Sequence, residues 1–297
     1  MVKAPDFDRK MLLLATQLAH EVKQKTLLLA VLEAMLRTLQ QGQQGLELEA
    51  DAEGITIVRC SVRIILDLLK EPLAATNELV KSLVEHFRRA LDLIGIASAK
   101  SNLVMIAKDM SWLWRTAYNA AVSGCRDWDE LVVVELFDLA RELMDAHSSA
   151  LGAVRDPDLR RCALLSAFSA TSGRLFVARR LGSSQDANLL YERLVDDLPN
   201  FRQSAFQVLS DDAFEGDQPS YMVNLFLTFE VEVLSRLQRW EGIRTLVEAT
   251  ATMECVTATT LESIANLLWT EEACPTDVLY SALDVRPALS NSPAENG

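Results

Sequence analysis

The stretch MSWLWRTAYNAAVSGCRDWDELVVVELFDLARELM, residues 110–144, decides the fold. Its apolar residues recur every three or four positions, which is the period of a helix with one buried face. Ala117, Ala120 and Ala121 are small enough to let a second helix approach closely. The polar break SGCRDWD then leads into a second periodic run in which Phe137 is large and Ala140 small. An aromatic and a small residue one turn apart fill and admit the groove between two antiparallel helices. The stretch therefore reads as a helical hairpin.

The same period extends outward in both directions. Leu79, Leu83, Phe87, Ala90, Leu91 and Ile94 fall on one face of a helix that opens at Thr76-Asn77-Glu78, with Pro72 closing the segment before it. Similar runs cover 9–23, 26–40, 56–70, 103–123, 130–147, 158–181, 187–208, 220–238, 241–251, 256–269 and 276–284. The clearest breaks are QGQQGLELEADAEG, SGCRDWD, LGSSQD and SDDAFEGDQPS, all short and polar. Two β-branched runs, Ile55–Val58 and Val132–Val134, have strand-like composition but merge into helical patterns without a turn, so both are read as helix. With 11 glycines and 8 prolines in 297 residues, the chain is poor in the turn residues an all-β fold needs.

Helices joined by short loops point to an all-α fold of antiparallel helix pairs stacked as a tetratricopeptide-like α-solenoid. The repeat signature is carried once by residues 114–140. A poorer second copy runs from Phe229 to Leu234, through an Arg239-Trp240-Glu241 turn, to Ile243 and Val247. The expected organisation is a single helical domain over 1–285 followed by a disordered polar tail, 286–297. No apolar run is long enough to span a bilayer, and the N-terminal segment reads as a helix opening rather than a signal peptide.

The formal net charge is −13, which argues against nucleic acid as a direct ligand and favours a partner with a basic surface. The doublets Arg88-Arg89, Arg160-Arg161 and Arg179-Arg180 read as solvated helix faces. Cys60, Cys125, Cys162, Cys255 and Cys274 stand far apart with no C-x-x-C, as expected of reduced, mostly buried thiols in an intracellular protein. His20, His86 and His147 lie on separate helices, so no metal site is expected. Phosphate-binding glycine motifs and the G-x-S-x-G elbow are absent, so no cofactor and no small-molecule substrate is expected.

One pattern has the form of enzyme chemistry. Asp211, Asp212 and Glu215 resemble the aspartate-rich motif of the all-α terpene cyclases, and Asn224, Thr228 and Glu232 fit the spacing of their second magnesium motif. Magnesium held between carboxylates on facing helices would ionise a diphosphate. Only a short loop separates the two motifs here, whereas that chemistry needs them across a pocket. An acidic loop before a helix accounts for them more simply. Of the five tryptophans, Trp114 and Trp240 read as core, Trp112 and Trp128 as either core or interface, and Trp269 marks a further helix.

Four segments in order resemble a fungal meiosis family, the sporulation-specific protein twenty-two or zip-four-like family, related to testis-expressed protein eleven. They are Arg59–Leu69, Met110–Ala121 with Glu135–Leu143, Phe229–Trp240, and Leu261–Leu283. The resemblance implies a nuclear, non-catalytic scaffold on meiotic chromosomes that links crossover factors to synaptonemal-complex assembly. It carries over no catalytic residue. Members of that family usually extend beyond both ends of this chain. A segment of a longer solenoid, self-associating through exposed apolar end faces, is therefore the expectation.

Overall fold

A computed structural model describes residues 9–21, 23–42, 48–71, 76–99, 103–151, 157–207, 218–250 and 252–284. Twelve α-helices carry these residues: α1 (Arg9–Glu21), α2 (Lys25–Gly42), α3 (Leu48–Leu68), α4 (Thr76–Ala99), α5 (Leu103–Gly124), α6 (Glu130–Leu151), α7 (Pro157–Leu181), α8 (Gln185–Gln207), α9 (Gln218–Arg236), α10 (Trp240–Thr250), α11 (Ala258–Thr270) and α12 (Thr276–Asp284). No strand occurs among the described residues. The β-branched runs lie inside α3 and α6, where Ile55, Val58, Val133 and Val134 are buried. Pro72 and the tail from 286 onward lie outside the described residues.

The chain divides into two compact units, Met1–Ser166 and Ala167–Gly297, the division falling within α7. In the first unit each helix packs on its sequence neighbours, α1 on α2, α2 on α3, α3 on α4, α4 on α5 and α5 on α6. In addition, α3 packs on α5 and α4 on α6. The second unit repeats this pattern in part. There α8 packs on α9, α9 on α10 and α11 on α12, while α9 also meets α11 and α10 meets α12.

The decisive hairpin packs as its residues dictate. Ala117, Ala121 and Ala140 have no exposed surface, and Tyr118 meets Phe137 edge to face with ring centroids 6.0 Å apart. Its turn depends on one glycine. A Cβ at Gly124 would lie 2.1 Å from Cε3 of Trp128, so only glycine lets that indole fold back over the end of α5. Asp129 then caps α6, its carboxylate accepting from the amides of Leu131 (3.0 Å) and Val132 (3.3 Å).

Two boundaries differ from the sequence reading. The break QGQQGLELEADAEG is partly helix, because α3 already begins at Leu48. Gly54, which reads as a loop signal, sits in that helix with Leu93 of α4 so near that an added Cβ would lie 3.2 Å from it. The glycine serves close packing rather than a turn. In the second repeat copy the turn is not Arg239-Trp240-Glu241. The left-handed residue is Gln238 (φ 55°), the amide of Arg239 donates to the Leu234 carbonyl at 2.8 Å, and Trp240 and Glu241 open α10. Trp240 is accordingly half-buried rather than core, whereas Trp114 is buried as read.

Candidate partner-docking surfaces

Two residues of the magnesium-like pattern, Asn224 and Glu232, fasten α9 to neighbouring segments. Asn224 sits buried on α9 and spends both ends of its amide on the segment leading into α11. Its Nδ2 donates to the carbonyls of Ser220 (2.8 Å) and Cys255 (2.7 Å). Its Oδ1 accepts from the amide of Thr257 (3.1 Å) and the hydroxyl of Thr260 (2.7 Å). Four bonds exhaust the donors and acceptors of a carboxamide that is better filled than most. Thr257 in turn caps α11, accepting from the amide of Thr260 at 3.3 Å.

Thr228 and Glu232 follow Asn224 on α9 at four-residue steps and are spent in the same way. The Thr228 hydroxyl donates back to the Asn224 carbonyl at 3.4 Å. Glu232 takes a two-pronged grip from Arg179, with Nε at 2.7 Å and Nη2 at 2.5 Å. Arg179 also lies over the rings of Phe176 (5.4 Å) and Phe229 (5.3 Å), so this residue of the third basic doublet stays exposed, as read, and in addition clamps α7 to α9. Asp211, Asp212 and Glu215 lie outside the described residues. Among those described, no group of three or more histidine, cysteine, aspartate or glutamate side chains is arranged to hold a metal ion.

The thiols correct the sequence reading. Cys60 and Cys125 are exposed, and Cys162, Cys255 and Cys274 are half-buried, so none is a core residue. Cys60 stands on α3 beside the buried Val58 and Val62 rather than in line with them, and Cys125, Cys255 and Cys274 lie in the connections between helices, where no buried stripe continues. Burial pushes the thiols of Cys255 and Cys274 above their ordinary range, which disfavours the reactive thiolate. His86 and His147 are buried on α4 and α6.

Several large apolar and aromatic side chains face outward. Leu14 and Leu18 stand on α1, Phe176 on α7, Leu189 on α8, Tyr221 on α9, and Tyr280 and Leu283 on α12. Trp269 on α11, at 72%, is the most exposed large hydrophobic side chain among the described residues. The sequence carried a signal for it. Leu261, Ile264 and Leu268 form the buried stripe of α11, and Trp269 is one step off that stripe. Tyr221 also borders an open groove of about 570 Å³ between α9 and the start of α11, floored by Asn224 and lined by hydroxyls including Thr228, Thr259 and Ser263. No helix among the described residues is long and apolar enough to cross a membrane. Compared with known proteins, the chain matches no family model and no curated sequence.

Proposed function

We propose that this chain is a non-catalytic, tetratricopeptide-like solenoid segment that holds other proteins, and that it acts in meiosis, in crossover formation and synaptonemal-complex assembly. The observation that carries the scaffold is the stacking of helices on their next-but-one neighbours, α3 on α5, α4 on α6, α9 on α11 and α10 on α12. Stacked pairs present extended rows of outward side chains, and large aromatics on such rows are what binding energy concentrates on. The meiotic placement rests on the four ordered sequence segments alone.

The test is to tag the chain in its own cells and follow it through sporulation, combining imaging with cross-linking. Chromosome-bound signal in meiotic prophase, with cross-links to other chromosomal proteins, is the expected result. Cross-linked partners in vegetative cells and no meiotic chromosome signal would move the scaffold to another intracellular complex. A chain recovered uncross-linked in both states would overturn the scaffold itself.

A further inference from the structure

Charge is distributed unequally along the chain. Residues 1–166 carry 20 Lys+Arg against 23 Asp+Glu, a formal −3, whereas residues 167–297 carry 9 against 19, a formal −10. The second set of cations contains no lysine. The imbalance is steepest over α10, α11 and α12, where residues 240–284 hold eight carboxylates and the single cation Arg244. Arg244 is already shared between Glu241 and Asp277. Glu271 is met at 3.7 Å by Arg236 of α9. The remaining five, Glu248, Glu254, Glu262, Glu272 and Asp284, are exposed and pair with no cation among the described residues.

Aromatics stand among these carboxylates at helical spacing. On α11, Glu262, Asn266 and Trp269 are exposed at steps of four and three, so they share one face. On α12, Asp277, Tyr280 and Asp284 do the same. A surface tryptophan buries more apolar area than any other side chain when it is covered, and its ring face attracts cations. Uncompensated carboxylates beside it would repel an acidic partner and steer a basic one.

From this combination we infer that the outer faces of α11 and α12 dock a lysine- and arginine-rich segment of a partner protein, with Trp269 as its aromatic anchor. The inference rests on the scaffold reading and names the chemistry of one of its partners. The carboxylates set the encounter and the register, and the indole takes the aliphatic stem and the charge of a partner lysine or arginine. Burial of the paired charges is modest at such a rim, so the aromatic contributes most of the selectivity over any other acidic patch on the chain.

The experiment titrates the full chain with a short alanine-based helical peptide carrying lysine and arginine on one face, read by anisotropy and tryptophan emission. Trp269→Ser is expected to weaken binding about 10-fold, the scale of one interface anchor. Glu262→Gln with Glu272→Gln is expected to weaken it several-fold and to flatten its salt dependence. Asp92→Asn with Asp127→Asn, which neutralises two exposed carboxylates of the first unit, is expected to leave it unchanged. Equal loss from both charge pairs, or no loss from Trp269→Ser, would show only non-specific attraction to an acidic protein and overturn the proposal. Circular dichroism of the Trp269→Ser chain controls for folding. If peptide binding fails while the cross-linked partners of the intact chain persist, the cationic occupant is wrong and the scaffold stands. If both fail, the scaffold reading fails with it.

Discussion

The two units solve the same packing problem with different side chains. In the first, helices meet over alanine and glycine, with Ala117, Ala121 and Ala140 sealed at the α5–α6 contact and Gly54 pressed against Leu93. In the second, helices are held apart by rings and tied by buried polar groups. Phe226 has no exposed surface and sits among Phe201 (stacked, 4.0 Å between centroids), Phe168 (5.2 Å) and Phe229 (5.5 Å). Beside the rings, Arg202 grips buried Glu230 at 3.1 and 3.3 Å, and buried Arg174 meets Asp197 at 2.7 Å. Close-packed small residues fix the distance between helices, whereas rings and ion pairs fix their register. The first unit is therefore intolerant of added volume and the second of removed groups.

The largest effect tests the second half of that contrast. Phe226→Ala empties the centre of a four-ring cluster and should cost about 3–5 kcal/mol by urea unfolding, the range for buried aromatics cut to alanine. A loss under about 1 kcal/mol would mean that the rings close over the gap and are not what sets the helix spacing. Asn224→Leu comes next. It keeps the volume but strands the Cys255 carbonyl and the Thr257 amide, and should cost about 2–3 kcal/mol, with hydrogen exchange accelerating at Thr257 and Thr260. On the other side, Ala121→Leu forces methylenes between α5 and α6 and should cost about 1–3 kcal/mol. Tolerance of that leucine would show the first unit to be as loosely spaced as the second.

Apart from the start of α3, the sequence made the helices legible to within a few residues, because a 3.6-residue period persists through α4, α5, α6 and α11 and each buried face is continuous. It also made the α5–α6 hairpin legible, since Ala117, Ala121, Phe137 and Ala140 have both the sizes and the spacing that close packing needs. Three things were not legible. Gly54 reads as a loop from its neighbours because nothing local announces Leu93 from another helix. Asn224, Thr228 and Glu232 fit the spacing of a magnesium motif, and spacing records only that they share a face, not that Cys255, Thr257 and Arg179 hold them to neighbouring segments. Trp240 reads as core from its size, because nothing local shows that the turn ends at Arg239 and that the indole opens α10 half-buried.

The smallest effect is a difference in the response of the two units to acid. His86 is buried on α4, with Nδ1 donating to the Ser82 carbonyl at 2.7 Å and Nε2 meeting no partner among the described residues. Burial holds its pKa below the ordinary 6.5, opposed by the hydrogen bond to the Ser82 carbonyl and by Glu33 and Glu85 and assisted by Arg89. Below pH 6.5 the unfolded chain therefore gains a proton that the folded chain refuses, and stability falls as the pH drops toward the depressed folded value. Glu230 has the opposite sign. Burial holds its carboxyl above the ordinary 4.5 although Arg202 pulls it back, so the folded chain takes its proton first. Stability from that group rises as the pH falls through the raised value toward 4.5. Each contributes a slope of at most about 1.4 kcal/mol per pH unit, the limit for one proton. Subtracting the unfolding profile of His86→Phe from that of the unaltered chain should leave a slope rising with pH, and subtracting that of Glu230→Gln one falling with it. Two slopes of the same sign would mean that one of these groups is hydrated in the folded chain, and the unit containing it would then lack the sealed interior that its packing describes.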